Sequence, residues 1–122
     1  MKRLKTKSYD IYYILHAREI LDKDPGKQLT ITGLALEVGL NVFKLEQGFK
    51  DIFKQTIHQY RIVIRLSMAM GLLDETDLTI AEIAYKSGFD TRDGFARCFR
   101  KKYQQSPRDW RKGQDGRVGA LL

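Results

Sequence analysis

Apolar residues recur at three- and four-residue spacing along most of the chain, which is typical of amphipathic helices rather than strands. The segment Ile11–Asp22 has this pattern, and the stretch "DKDPGK" that follows is typical of a helix end. A long proline-free segment from about Ile57 to Leu73 predicts a helix of roughly 25 Å. Pro107, after the polar Ser106, predicts the start of a last short helix. No segment has the alternating pattern of a strand, so the predicted fold is all-α.

The chain contains an internal repeat. "LTI" at Leu29–Ile31 recurs at Leu78–Ile80, an offset of 49, and one insertion after the following glycine changes the offset to 50. With that insertion the apolar stripe Leu45, Phe49, Phe53 falls on Phe95, Phe99, Tyr103, and Tyr60-Arg61 falls on Trp110-Arg111. Each copy predicts two helices around a tight turn, which is a helix-turn-helix unit.

The ends of these helices carry residues suited to capping. In the first copy, Thr30 or Thr32 is expected to cap the first helix, and Gly39 is expected to end it. Asn41 is expected to cap the next helix. In the second copy the corresponding residues are Thr79 with Glu82 as a capping box, Gly88, and Asp90 or Thr91.

The charge balance restricts the kind of partner. The chain has 22 Lys and Arg residues against 15 Asp and Glu, a net charge of +7 and a pI near 9.6. Such an excess favours a polyanion, either nucleic acid or an anionic membrane surface. No apolar run approaches the roughly 18 to 20 residues of a membrane span, and no apolar signal region follows the basic start. We therefore expect a cytoplasmic protein without a membrane partner.

Residues for catalysis or metal binding do not cluster in the sequence. Cys98 is the single cysteine and lies in an apolar-periodic segment, which favours a small core residue. His16 and His58 are far apart, with no nucleophile or ligand spacing around them. We expect no metal, no cofactor and no enzymatic activity.

Three stretches carry a resemblance to a known family: "LTITGLALEVGL" with "KLEQGFKDIF", then "RLSMAMGLLDETDLTIAEIAYKSGF", and "GFARCFRKKYQQSPRDWR". Together they resemble the DNA-binding domain of AraC/XylS transcription regulators, over about Ile11 to Arg111. A finer resemblance, in "AREIL", "VGLNVFKLEQGF" and "FKQTIHQY", is to the family branch associated with iron and siderophore uptake.

The resemblance implies two homeodomain-like helix-turn-helix subdomains joined by a long linker helix, about seven helices in all. The expected divisions are a basic extension at 1–10, a first unit at 11–55, the linker at 56–75, a second unit at 76–112 and a disordered tail at 113–122. It also implies that two recognition helices enter successive major grooves of double-stranded DNA, so that one chain reads an asymmetric site.

Matching positions in the family place the base-reading residues. In the first recognition helix these are Phe43, Glu46 and Gln47, with thymine methyl, cytosine and adenine as chemically suited targets. The alternatives are a core or staple role for Phe43 and a solvated surface charge for Glu46. In the second helix the corresponding residues are Arg92, Asp93, Ala96 and Arg97. The two arginines suit guanine, or reach phosphate instead, and Asp93 is alternatively a cap or an orienting group.

Further basic residues are assigned to the DNA backbone. The expected phosphate-binding residues are Lys44, Lys50, Thr91, Arg100 and Lys101. They belong in part to a basic run next to the second recognition helix, which also includes Arg97, Lys102, Arg108, Arg111 and Lys112. A charge run is usually a solvated face, but its position beside a recognition helix favours phosphate binding.

The predicted function is that of a sequence-specific DNA-binding domain of a transcription regulator, with RNA polymerase as a further partner. The predicted linker helix is unusually apolar at Val63, Met68 and Met70, which suggests contact with a missing N-terminal effector or dimerisation domain. The main alternative is a helical protein-interaction module whose basic face binds an acidic partner. An enzyme fragment is a third reading, for which no motif is present.

Overall fold

The computed structural model describes residues 8–113, with side chains from residue 10 onward. Within this range there are seven helices and no strand: α1 (Ser8–Lys23), α2 (Ile31–Val38), α3 (Val42–Phe53), α4 (Ile57–Glu75), α5 (Ile80–Lys86), α6 (Arg92–Tyr103) and α7 over 107–113. The all-α prediction with two helix-turn-helix units and a long helix between them is confirmed. The expectations for the basic extension and for the tail beyond residue 113 lie outside the described residues.

Local capping sets the helix boundaries, as the sequence predicts. Thr30, Asn41, Thr79 and Thr91 are N-caps whose side-chain oxygens accept a backbone N–H three residues on, at 2.8–3.1 Å. Gly39 and Gly88 have φ values of 85° and 91°, which a residue with a Cβ rarely adopts. After each glycine the next N–H reaches back to an alanine carbonyl at 3.0 Å, from Leu40 to Ala35 and from Phe89 to Ala84. Both turns therefore close in the same way.

The chain divides into two compact units, with the boundary between Arg61 and Ile62, inside α4. In unit 1, helices α1, α2 and α3 pack against one another. Its buried apolar residues come from all three helices and from the first turn of α4: Ile14, Ala17, Leu21, Leu34, Ala35, Val38, Leu45, Phe49 and Ile57.

Unit 2 has a core of the same kind, built from α4, α5 and α6. Its fully buried residues are Leu66, Ala69, Leu73, Ile83, Ala84, Phe95 and Phe99. Leu66, Ala69 and Leu73 match Ile14, Ala17 and Leu21 of α1 at an offset of 52, so the repeat extends one helix further than the sequence comparison found. Helix α4 is therefore a core helix of unit 2 as well as a connection.

This packing corrects the expected docking face on α4. Met70 is only partly exposed and packs against the core of unit 2, because it follows Ala69 on the buried side of the helix. Met68 is half-buried, and Val63 is 37% exposed. Of the three apolar residues expected to form a docking face on α4, only Val63 is exposed.

Candidate nucleic-acid interface

Helix α3 presents one polar face to solvent because its other face is apolar and buried. Leu45, Gly48 and Phe49 are buried against the rest of unit 1. Phe43 is 58% exposed, so the alternative that places it in the core is wrong. Glu46, Gln47 and Lys50 are exposed at the same helical spacing. The three expected base-reading residues of unit 1 and one expected phosphate-binding lysine therefore share one face.

Helix α6 repeats this arrangement in unit 2 with different side chains. Phe95 and Phe99 are fully buried, while Asp93, Arg97 and Arg100 are exposed and Ala96 is half-buried. At the offset of 50, the face 93, 96, 97, 100 corresponds to the face 43, 46, 47, 50 of α3. Arg92 is also exposed, at the first residue of the helix. The two faces have the same position in their units and a different chemistry.

Aromatic rings pack on the buried side of both α3 and α6. In unit 1 the ring of Phe49 lies 4.6 Å from that of Phe53 and 5.4 Å from that of Tyr60. In unit 2 the ring of Phe99 lies 4.7 Å from that of Tyr103 and 6.2 Å from that of Trp110. Such contacts fix the rotation of a helix about its axis, and so the direction of its outer face.

The charges of the two helices differ. Helix α6 carries five cationic residues and one acid, whereas α3 carries two of each. Lys44, Lys50, Arg100 and Lys101 are exposed. Thr91 is exposed as well, but its Oγ1 accepts the N–H of Gly94 at 2.9 Å, so its first role is the N-cap of α6.

Arg111 belongs to the basic run, but its side chain is bound to the fold. Its guanidinium donates to three backbone carbonyls, those of Leu73 at 3.2 Å, Leu78 at 2.7 Å and Thr76 at 3.1 Å. The side chain is half-buried, unlike those of Arg108 and Lys112. A count of charges along the sequence does not distinguish a cation that faces solvent from one that is bound to the fold.

A cleft of about 330 Å³ adjoins the outer face of α3, and sequence reasoning missed part of its lining. It is lined by the start of α2, the outer face of α3 and the start of α4: Ile31, Glu46, Gln47, Lys50, Thr56, Ile57 and His58. His58 is exposed there, close to residues expected to read bases. No signal in the sequence marks it, because its proximity to α3 depends on the turn between α3 and α4.

One further charged contact lies next to the start of α6. Burial lowers the pKa of the half-buried Arg65 on α4, and the negative charge of Asp90 opposes that shift. Asp90 is the residue inserted in the second copy of the repeat. Unit 2 therefore has a charge pair beside its recognition helix at a position that has no counterpart in the first copy.

Among residues 8–113 no group of three or more His, Cys, Asp and Glu side chains could hold a metal ion. In the same part of the chain, no helix combines the length and the apolar character needed to cross a membrane.

Comparison with known proteins agrees with this geometry. A family model described as a helix-turn-helix domain matches residues 34–113. The HTH-type transcriptional activator RhaS of Escherichia coli O139:H28 is 32% identical over 83 residues, which are 68% of this chain and 30% of that protein. The matched part of the chain thus covers 30% of the length of the curated relatives.

Solved structures show the same fold. The C-terminal domain of the response regulator yesN from Fusobacterium nucleatum aligns with a TM-score of 0.71 at 30% identity, over 85% of this chain and 99% of that one. The DNA-binding domain of AdpA, solved in complex with a target DNA, aligns with a TM-score of 0.81 over 85% of this chain and 94% of that one, and at 20% identity this likeness concerns the fold alone. This chain belongs to the AraC/XylS family, as a helix-turn-helix DNA-binding domain of a transcription regulator.

Proposed function

We propose that this domain reads an asymmetric DNA site, with α3 and α6 each inserted in a major groove and the two grooves successive along the duplex. The observation that carries the proposal is the pair of matching faces, 43–50 and 93–100, which have one framework and different outward residues. Identical half-sites would suit two identical helices. Gln47 in unit 1 occupies the position that corresponds to Arg97 in unit 2. Because these side chains differ in chemistry, the base sequences of the two half-sites should differ.

The base contacts follow from the chemistry of the exposed groups. Arg97 and Arg92 suit guanine, whose O6 and N7 accept two hydrogen bonds from one guanidinium. Gln47 suits adenine and Glu46 suits the amino group of cytosine. Phe43 offers an apolar surface for a thymine methyl. Asp93 orients a neighbouring arginine, and the short side chain of Ala96 lets the backbone of α6 come close to the bases.

Contacts with phosphate would come mainly from unit 2. Arg100 and Lys101 are exposed at the end of α6, and Lys44 and Lys50 play the same part on α3. Since α3 carries as many acids as cations, unit 2 should contribute most of the salt-dependent affinity. The hydroxyl of Thr91 can donate to a phosphate oxygen while its oxygen caps α6.

The wider role is regulatory and cytoplasmic, with RNA polymerase as the second partner and no reaction catalysed. Matched relatives are described as transcriptional activators, which supports activation over repression. The matched segment covers 30% of their length, and a further domain for effector binding or dimerisation would contact α4 near Val63 and Met68. The resemblance to the iron-uptake branch makes genes of iron acquisition the first targets to test.

A comparison of two single substitutions tests the assignment of bases and phosphates. Sites are selected from random DNA, and binding isotherms are then measured over every single-base variant at several salt concentrations. For Arg97→Ala we expect a loss of roughly 1–3 kcal/mol at one base position. For Lys101→Ala we expect an equal loss on all sequences and a slope of log K against log[salt] that is smaller by about 0.9.

Lys23→Ala is the matched control, since Lys23 is exposed at the end of α1 and lies outside both faces. A uniform loss for Arg97→Ala would remove Arg97 from the base readers. Failure to select any DNA sequence would favour the acidic-partner reading instead. Footprints should show two protected segments about one helical turn, roughly 10.5 bp, apart.

A further inference from the structure

Arg61 and Arg111 occupy equivalent positions in the two copies of the repeat, 50 residues apart. Each follows an aromatic residue in the first turn of the helix after a recognition helix, α4 in unit 1 and α7 in unit 2. Both side chains are half-buried, whereas an arginine that binds a DNA phosphate is expected to be exposed in the free protein. Their position within a strongly basic chain does not by itself assign them to DNA.

The two guanidinium groups share two equivalent hydrogen bonds, and Arg111 makes a third. Arg61 donates from Nη1 to the carbonyl of Leu29 and from Nη2 to that of Lys27 at 2.8 Å. Arg111 donates from Nη1 to Leu78 and from Nη2 to Thr76, and from Nε to Leu73. Leu29 and Lys27 correspond to Leu78 and Thr76 at the offset of 49. The duplication therefore preserves the arginine and its acceptors together.

These acceptors lie where the chain approaches the first helix of each helix-turn-helix. Leu29 and Leu78 directly precede the N-caps Thr30 and Thr79. Carbonyls between helices lack helical partners, and a guanidinium, with five donors in a fixed fork, can satisfy several of them at once. Each arginine thus fixes the entry to α2 or α5 relative to the helix that follows α3 or α6.

The preceding aromatic residue adds a second attachment at the same turn. The hydroxyl of Tyr60 donates to Asp22 Oδ1 at the end of α1, and Trp110 Nε1 donates to Asp74 Oδ1 at the end of α4 over 3.0 Å. Asp22 and Asp74 match at the offset of 52. Each turn is therefore held to the end of one helix and to the approach to the next.

In unit 1 this attachment borders the predicted DNA-reading face. The 330 Å³ cleft beside Glu46 and Gln47 has Ile31 on one wall and Thr56 to His58 on another. Arg61 ties these two walls together, since it belongs to the first turns of α4 and binds the residues just before α2. If that tie is lost, these two walls of the cleft are free to separate.

We propose that Arg61 and Arg111 are positioning residues for DNA recognition, which hold each recognition helix in a rigid frame and make no phosphate contact themselves. This inference rests on the proposed function, because it concerns how the same two faces are presented to DNA. By net charge alone, Arg61 and Arg111 would be counted among the residues that bind DNA. The proposal gives them a structural role instead.

Two substitutions at Arg111 separate positioning from phosphate binding. Arg111→Lys keeps the charge but cannot reach three carbonyls with one planar fork, so we expect affinity for the selected site to fall about tenfold. Arg111→Gln removes the charge, yet the slope of log K against log[salt] should stay as in the wild type. A phosphate contact predicts the reverse: little loss for the lysine variant, and a slope lower by about 0.9 for the glutamine variant.

Arg108→Gln is the comparison for a phosphate contact, since Arg108 is exposed on the same helix and belongs to the basic run; it should lower the slope by about 0.9, as Arg111→Gln should not. All isotherms are measured well below the unfolding midpoint, with the folded fraction checked by circular dichroism. A purely structural arginine would lower the midpoint and leave affinity at that temperature unchanged, which would overturn the proposal. The loss should also be confined to the bases read by unit 2, and the same pair of variants at Arg61 should affect the other half.

An NMR measurement on the wild-type protein needs no variant. The guanidinium N–H signals of Arg61 and Arg111 should be protected from exchange in the free protein and should keep their shifts when DNA is added. Protection that develops only with DNA would assign these arginines to phosphate. If the wild type selects no DNA at all, the proposed function fails, while the signals of the free protein still show whether the two arginines are held by the fold.

Discussion

Single side chains in this protein have roles that depend on contacts far away in the sequence. Tyr60 is an example, because its hydroxyl bonds to Asp22, 38 residues earlier. Burial, together with this hydrogen bond and the charge of Asp22, raises the pKa of Tyr60 from 10.0 to about 12, against a smaller opposing effect of Arg18. The folded state therefore retains the phenolic proton more strongly than the unfolded state does.

The stability that Tyr60 provides should depend on pH. Because the folded-state pKa is the higher one, this contribution is complete below about pH 10 and is lost as the pH rises towards 12. We expect Tyr60→Phe to lower the free energy of unfolding by about 1 kcal/mol at pH 8. The difference from wild type should shrink above pH 10. Urea unfolding from pH 8 to 11.5 measures it, with Tyr12→Phe, at a side chain that is 78% exposed, as a control without effect. A difference independent of pH would contradict the assignment.

The predictable part of the site consists of residues whose direction follows from helix periodicity. Phe43, Gln47 and Arg97 are exposed because burial of the stripes in α3 and α6 leaves their positions outside. The contacts of Arg111 and Met70 could not be predicted, for one reason. Residue type and local spacing say that a side chain is basic or apolar, but not whether another segment of the chain is there to receive it.

At the scale of the elements, the helices begin and end where local signals predict, and glycine shows how context changes a local rule. A glycine inside a helix costs about 1 kcal/mol relative to alanine. Gly71 in α4 and Gly94 in α6 are both inside helices. A Cβ at Gly71 would meet nothing within 4 Å, whereas one at Gly94 would lie 2.9 Å from Thr91 Oγ1, the cap of α6.

The two glycines should therefore respond differently to the same substitution. We expect Gly71→Ala to raise the free energy of unfolding by about 1 kcal/mol, since helix propensity is its main effect. Gly94→Ala should give no gain or a loss, because the methyl group displaces the threonine cap, which is worth about 1 kcal/mol. Parallel denaturation of the two variants checks this. Equal stabilisation by both would show that the cap adjusts freely.

At the scale of the whole molecule, α4 belongs to both units. Its first turn carries Ile57, Tyr60 and Arg61 of unit 1, and its later turns carry core residues of unit 2. The sequence comparison treated it as a connection alone. The match with α1 was missed because the segment from Asp22 to Leu29 is three residues longer than that from Asp74 to Leu78, so a third offset is needed.

A core role for α4 predicts a large effect of truncation at Leu66. This side chain is 1% exposed, and Leu66→Ala should lower the free energy of unfolding by about 2–5 kcal/mol. Val63→Ala on the same helix, at a residue that is 37% exposed, should cost less than about 1 kcal/mol. Thermal unfolding of the two variants measures this difference. In a footprint of the Leu66→Ala variant, protection of the half-site bound by unit 2 should be lost before that of the other half-site. If both substitutions lowered the free energy of unfolding by similarly small amounts, α4 would be a connecting helix without a core role.

The amino-acid pattern was sufficient for the helices, their caps and the two glycine turns, because each depends on residues within one or two helical turns of one another. It was also sufficient for the duplication and the family, because these depend on residue types that match along the chain and not on contacts between helices. The tertiary structure alone decided that Arg111 binds carbonyls, that Met70 packs inward, that α4 contributes buried residues to the core of unit 2, and that His58 lies beside α3. These outcomes depend on contacts between helices, many of them more than 30 residues apart in sequence, as for Arg61 with Leu29 and Trp110 with Asp74. Local periodicity gives the direction of a side chain, and only the packed chain determines what that side chain meets.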